Sequence, residues 1–77
     1  MPKTYRATRQ YRMKPEPFLS LIAKHNMSLR MFGREEEISS GYLTQLLNGD
    51  RYPSGKIRAK LMEATRLSFD ELFEAVG

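Results

Sequence analysis

The sequence predicts an all-α fold: five short helices in one compact domain, preceded by an extended basic arm. Three observations carry this. Apolar residues recur at helical spacing of three and four in five successive segments of the last sixty-odd residues. Ser28, Ser39, Ser54 and Ser68 each stand just before such a segment, where a helix needs a side-chain acceptor for its free N–H groups. Asn26 and Asn48-Gly49 stand just after two of them, where a left-handed residue ends a helix.

The arm, residues 1–14, contains Lys3, Arg6, Arg9, Arg12 and Lys14 and no acid. Residues 15–77 hold eight basic against nine acidic side chains, so all of the net +4 charge comes from the arm. Such an arm beside a compact domain suits a phosphate backbone, whose condensed counterions it releases. Within it Tyr5, Ala7, Arg9, Tyr11 and Met13 alternate with Thr4, Arg6, Thr8, Gln10 and Arg12, a period of two that predicts an extended, strand-like segment. A lone strand needs a partner: its own domain, a second subunit or DNA. The arginines alternatively suit a narrow minor groove.

Pro15-Glu16-Pro17 ends the arm, because each proline fixes its own φ and pushes its predecessor out of helical geometry. The first helix follows, with Phe18, Leu21, Ile22 and His25 on one face and Asn26 as its left-handed terminator. His25, the one histidine, has no Cys, Asp or second His nearby and is expected to pack at the helix end rather than bind a metal. Ser28 caps a second helix running from Leu29 to about Glu36, with Phe32 inward. Gly33 beside it costs about 1 kcal/mol relative to alanine in a helix, which predicts close approach by another helix. Glu35-Glu36-Glu37 points to different sides of that helix and reads as a solvated end, not as paired catalytic carboxylates.

Ser39 caps a third helix, about 40–47, that stops at Asn48-Gly49. At 100° per residue Leu43, Leu46 and Leu47 face one way, and Gly41, Thr44, Gln45 and Asn48 the other. The second face carries no acid. Gln45 has a side chain that can both give and accept hydrogen bonds with an adenine edge. Ser54 caps a fourth helix with Ile57, Leu61 and Ala64 in line and Lys56, Arg58 and Lys60 as cations. Ser68 caps a last helix striped with Phe69, Leu72, Phe73 and Val76, with Asp70 and Glu71 in its first turn.

Composition bounds the rest. Seventy-seven residues make one domain, able to bury only about 60% of its unfolded surface. Without cysteine there is no disulfide or thiolate site, and cytoplasmic residence, of bacterial or phage type beside the nucleoid, is expected. No apolar run approaches the roughly 18 to 20 residues of a membrane span, and no signal peptide is expected. No nucleophile–base pair, metal cluster or phosphate-cradling glycine loop is visible, so neither an enzyme nor a cofactor is predicted.

Taken together, Met27-Ser28, Phe32-Gly33, Ile38-Ser39, Asn48-Gly49 with Pro53, and Leu67-Ser68-Phe69-Asp70-Glu71-Leu72 resemble, in register, the helix-turn-helix of the Cro/phage-repressor type, the XRE family, over roughly Phe18 to Phe73. The resemblance implies a lambda-repressor-like helix-turn-helix domain over residues 15–77 whose third helix enters the major groove. It implies Ser40, Gly41, Thr44 and Gln45 as base-facing residues. It implies Ser39, Tyr42, Asn48, Arg51, Lys56 and Arg30 as contacts to phosphates, which fix position without reading sequence.

The chain departs from the pattern at several positions. Leu29 stands where the family often has a backbone-touching glutamine, and Gly41 removes a side chain from a reading position. Glu37 replaces a turn glycine at a left-handed position that costs about 1 kcal/mol for a residue with a Cβ, so a differently shaped turn is expected. Ile22 and Leu47 replace a buried arginine–glutamate pair; both are expected to be buried and close, since two packed hydrophobes can stand in for a buried ion pair.

The reading that follows is a sequence-specific binder of double-stranded DNA, a repressor-like transcriptional regulator acting as a homodimer on two half-sites. Its dimer surface would be either Phe73 with Val76 or the Tyr5 and Tyr11 edge. The alternatives are a protein-interaction module or antitoxin-like partner that keeps the fold as scaffold, and single-strand or RNA binding through the arm.

Overall fold

The computed structural model of the chain describes residues 10–76. Tyr11–Met13 forms a strand, β1, which pairs antiparallel with a second strand, Phe73–Ala75 (β2). Between them lie five helices: Pro15–Lys24 (α1), Leu29–Glu36 (α2), Ser40–Asn48 (α3), Gly55–Thr65 (α4) and Phe69–Leu72 (α5). The all-α, lambda-repressor-like expectation is therefore corrected: a two-stranded sheet closes the helical domain, and the end of the supposed arm is one of its strands.

The correction has a physical cause at the C-terminal end of α5. A helix continued through Val76 would use the carbonyls of Asp70 and Leu72 as acceptors for the N–H groups of Glu74 and Val76. Lys14 takes both instead: its backbone N–H donates to the Leu72 oxygen and its Nζ to the Asp70 oxygen, each at 2.7 Å. Val76 turns its N–H to the carbonyl of Gln10 at 2.9 Å. Phe73 leaves the helix at φ −132°, ψ 155°, and its ring still ends in the core. The cross-strand register is chemically matched, with Met13 opposite Phe73, both buried, and Arg12 opposite Glu74, which it meets at 2.6 Å.

Four of the five helices begin where the serines stand, and α1 begins at Pro15. The hydroxyls of Ser28, Ser39, Ser54 and Ser68 accept from the backbone N–H of Met31, Tyr42, Ile57 and Glu71, at 3.1 to 3.3 Å. At Ser68 the cap is reciprocal, because the Glu71 carboxylate accepts from the Ser68 N–H at 2.8 Å. That backbone hydrogen bond, and then the Ser68 hydroxyl, hold the Glu71 carboxyl below the ordinary glutamate range. Left-handed residues end three of the helical segments without glycine: Asn26, Glu37 and Arg66 at φ 56°, 60° and 66°. Gly49 ends α3 at φ 81°.

The core joins all of these elements. Phe18 and Ile22 of α1, Phe32 of α2, Leu43 and Leu46 of α3, Leu61 of α4 and Leu72 of α5 surround Met13 and Phe73. Phe18 meets Phe32 edge to face at 4.9 Å between centroids. Ile22 is buried as expected, whereas Leu47 is only half-buried against this core and keeps part of its side chain in solvent. His25 departs from expectation. It caps α1 with its N–H on the carbonyls of Leu21 and Ile22, and its side chain is exposed.

No helix among the described residues is long and apolar enough to cross a membrane.

Candidate functional site

Helices α2 and α3 are joined by Glu37, Ile38 and Ser39 alone. The expected change in turn shape is not found: Glu37 adopts the left-handed conformation, at φ 60°, ψ 40°, that the glycine would have supplied. The roughly 1 kcal/mol this costs is offset by the next residue, Ile38, which is buried and worth about 1.5 to 3 kcal/mol on the usual scale. Ile38 also returns its N–H to the Gly33 carbonyl at 2.8 Å. Gly33 itself is buried, and a Cβ there would collide with the Ile38 carbonyl oxygen. The close approach that the sequence predicts is thus made chiefly by the turn, with the Leu43 side chain of α3 behind it.

On α3 the buried side is Leu43 and Leu46, and the exposed side is Gly41, Thr44, Gln45 and Asn48. Ser40 is half-buried at its start. Nothing stands within 4 Å of where Gly41 would carry a Cβ, so that position is open to solvent or to a ligand. The Thr44 hydroxyl donates to the Ser40 carbonyl at 2.9 Å, which leaves its oxygen free only to accept. Arg51 folds back over α3, with its guanidinium carbon 5.7 Å from the centre of the Tyr42 ring and its Nε 2.9 Å from Gln45 Oε1. Asn48, Arg51, Lys56 and Arg30 are exposed, and Tyr42 is half-buried.

Arg30 and Arg34 of α2 face Ser39 and Ser40 across a shallow groove of about 320 Å³. The sequence motifs do not point to Arg34. Its signal is its place one turn after Arg30 on the exposed side of α2.

The basic arm is divided. Arg12 is engaged with Glu74 and Lys14 with the Asp70 carbonyl, so both serve the sheet before any partner arrives. Lys3, Arg6 and Arg9 lie outside the described residues. Tyr5 does too, so pairing through a Tyr5 edge falls there as well. Tyr11 meets Phe69 edge to face at 4.8 Å and lies under the Arg58 guanidinium, whose Nη1 donates to the Pro53 carbonyl at 3.1 Å. Phe73 is buried and cannot form a dimer surface with Val76.

Comparisons of the chain with family models, curated proteins and solved structures return no match. One helix face offers small and amide side chains without an acid, with Arg51 folded against it. Arg30 and Arg34 stand beside the serines that open α3, in a groove that Glu37 also lines.

Proposed function

We propose that the chain is a non-catalytic, sequence-specific binder of double-stranded DNA that acts as a repressor-like transcriptional regulator. The observation that carries this reading is the exposed, acid-free face of α3, with Gly41, Thr44, Gln45 and Asn48 in a row and Arg51 beside them. An α-helix fits the major groove, and amide and hydroxyl side chains are the groups that read base edges there. The Cro/phage-repressor-like motifs from Phe18 to Phe73 support the same placement of α3.

In this reading Ser40, Gly41, Thr44 and Gln45 face the bases. Ser39, Tyr42, Asn48, Arg30, Arg34 and Lys56 hold phosphates. Ser39 is suited to this because its hydroxyl accepts from Tyr42 N–H and keeps its own proton to donate. Lys3, Arg6 and Arg9 add sequence-independent grip, whereas Arg12 and Lys14 stay with the sheet. With residues 15–77 slightly acidic in sum, those three cations supply much of the affinity. Two copies on half-sites about one helical turn apart would supply the remaining specificity.

Selection of bound sequences from a random duplex pool tests the proposal, using the full chain and the variant K3Q/R6Q/R9Q. Enrichment of a defined, two-fold symmetric site is expected, and its bases should stay the same in the variant if the arm grips only phosphates. Recovery of no duplex at low salt would leave the protein-interaction reading in its place.

A further inference from the structure

We propose that Gln45 and Arg51 act as one unit that reads guanine; the inference rests on the DNA-binding reading above. Gly49, left-handed at φ 81°, turns the chain so that the N–H groups of Asp50 and Arg51 both donate to the Gln45 carbonyl, at 2.9 and 3.3 Å. That return lays Arg51 back along the exposed face of α3. Its guanidinium is fixed there between the Tyr42 ring, at 5.7 Å, and Gln45 Oε1, which accepts from Nε at 2.9 Å.

The contact decides which way the amide points. A guanidinium has only donors, so the atom facing it must be the amide oxygen. Gln45 then presents its NH2 outward, and Arg51 presents the Nη donors that it has not used. The pair is donor-rich where an isolated glutamine would be both donor and acceptor.

The bases differ in what they ask of such a surface. Adenine shows N7 as acceptor and N6 as donor; N6 would have to share the amide oxygen with Arg51 and would meet the Arg51 Nη donors, donor against donor. Cytosine shows a donor, and thymine one acceptor beside its methyl group. Guanine shows two acceptors, O6 and N7, and meets donors at both. Gln45, expected to suit an adenine edge, and Arg51, expected to hold a phosphate, are here assigned together to guanine.

Duplex selection with the full chain, Arg51→Met and Gln45→Ala tests this. Both side chains are exposed, so neither substitution disturbs the core. The wild-type site is expected to contain a guanine preferred on the order of tenfold or more, lost in Gln45→Ala and replaced by adenine in Arg51→Met, where the amide oxygen is released. Loss of the Arg51 charge lowers affinity for all sequences alike, whereas the change of base is specific to the pair. An adenine at that position in the wild-type site, or a guanine that survives either substitution, overturns the inference and leaves DNA binding standing. Failure to retain any duplex overturns both.

Discussion

Ile38 and Gly33 are bound to each other twice over: the Ile38 N–H donates to the Gly33 carbonyl at 2.8 Å, and the Ile38 carbonyl oxygen occupies the space where Gly33 would carry a Cβ. The turn that presents α3 is thereby pressed onto the body of α2. Gly33→Ala gains up to about 1 kcal/mol of helix propensity but forces apart two backbone segments. Overpacking of this kind costs about 1 to 3 kcal/mol. A net loss in urea unfolding is expected, together with weaker DNA binding because α3 must shift. An unchanged midpoint would show that the turn has slack.

Met13→Ala tests the corrected fold. Met13 is 1% exposed and lies opposite Phe73. Truncation of a buried methionine costs about 2 to 5 kcal/mol. In a domain of this size each kcal/mol lowers the melting temperature by roughly 4 to 8 °C. A drop of about ten degrees or more is expected by thermal circular dichroism. No drop would mean that residues 11–13 are a tail and not a strand.

Gly41→Ala separates stability from recognition. The position is helical, exposed and free of neighbours within 4 Å. Alanine is expected to stabilise the chain by about 0.4 to 1 kcal/mol, largely by restricting the unfolded state. If α3 lies against base edges, the added methyl group changes affinity and selected sequence even as the melting temperature rises. A stabilised protein with unaltered DNA binding would remove Gly41 from the interface.

The capping box at α5 predicts a pH dependence. The hydrogen bond from the Ser68 backbone N–H, and then the nearby Ser68 hydroxyl, lower the Glu71 carboxyl below its ordinary value, so the folded state binds this proton less readily than the unfolded state. The stabilisation is present above the ordinary glutamate pKa of about 4.3 and is lost as pH falls through the lower folded value. Glu71→Gln keeps an acceptor without the charge. Its melting temperature is expected to lie below wild type at neutral pH and to converge with it in acid; a gap constant with pH would assign the effect to shape alone.

The starts of α2 to α5 are legible in the sequence because each rests on one local hydrogen bond that a serine announces, and the start of α1 because Pro15 and Pro17 mark it. The sheet is half legible. Alternation around Tyr11 and Met13 shows a strand, but Phe69, Leu72, Phe73 and Val76 fit a helix as well. What ends α5 is Lys14, far away in sequence, taking the carbonyls of Asp70 and Leu72. Nothing local to α5 records that competition. Glu37 shows the converse, since a disfavoured left-handed residue is held by the burial of its neighbour Ile38. On the candidate site, helical projection finds the exposed row of α3. The Gln45–Arg51 contact depends on a left-handed turn at Gly49 followed by a side chain folding back, which no periodicity encodes.

The central claim, that the exposed face of α3 and the cations around it grip duplex DNA, is tested most directly by the salt dependence of binding. Fluorescence anisotropy of a labelled duplex with the full chain is expected to give an affinity that falls linearly in log–log form, with a slope on the order of −5 per bound copy for the six cations assigned to phosphates. Substituting Arg30 or Lys56, each taken to hold one phosphate, should make the slope shallower by roughly 1. Absence of binding at low salt, or an affinity that salt leaves unchanged, would contradict it.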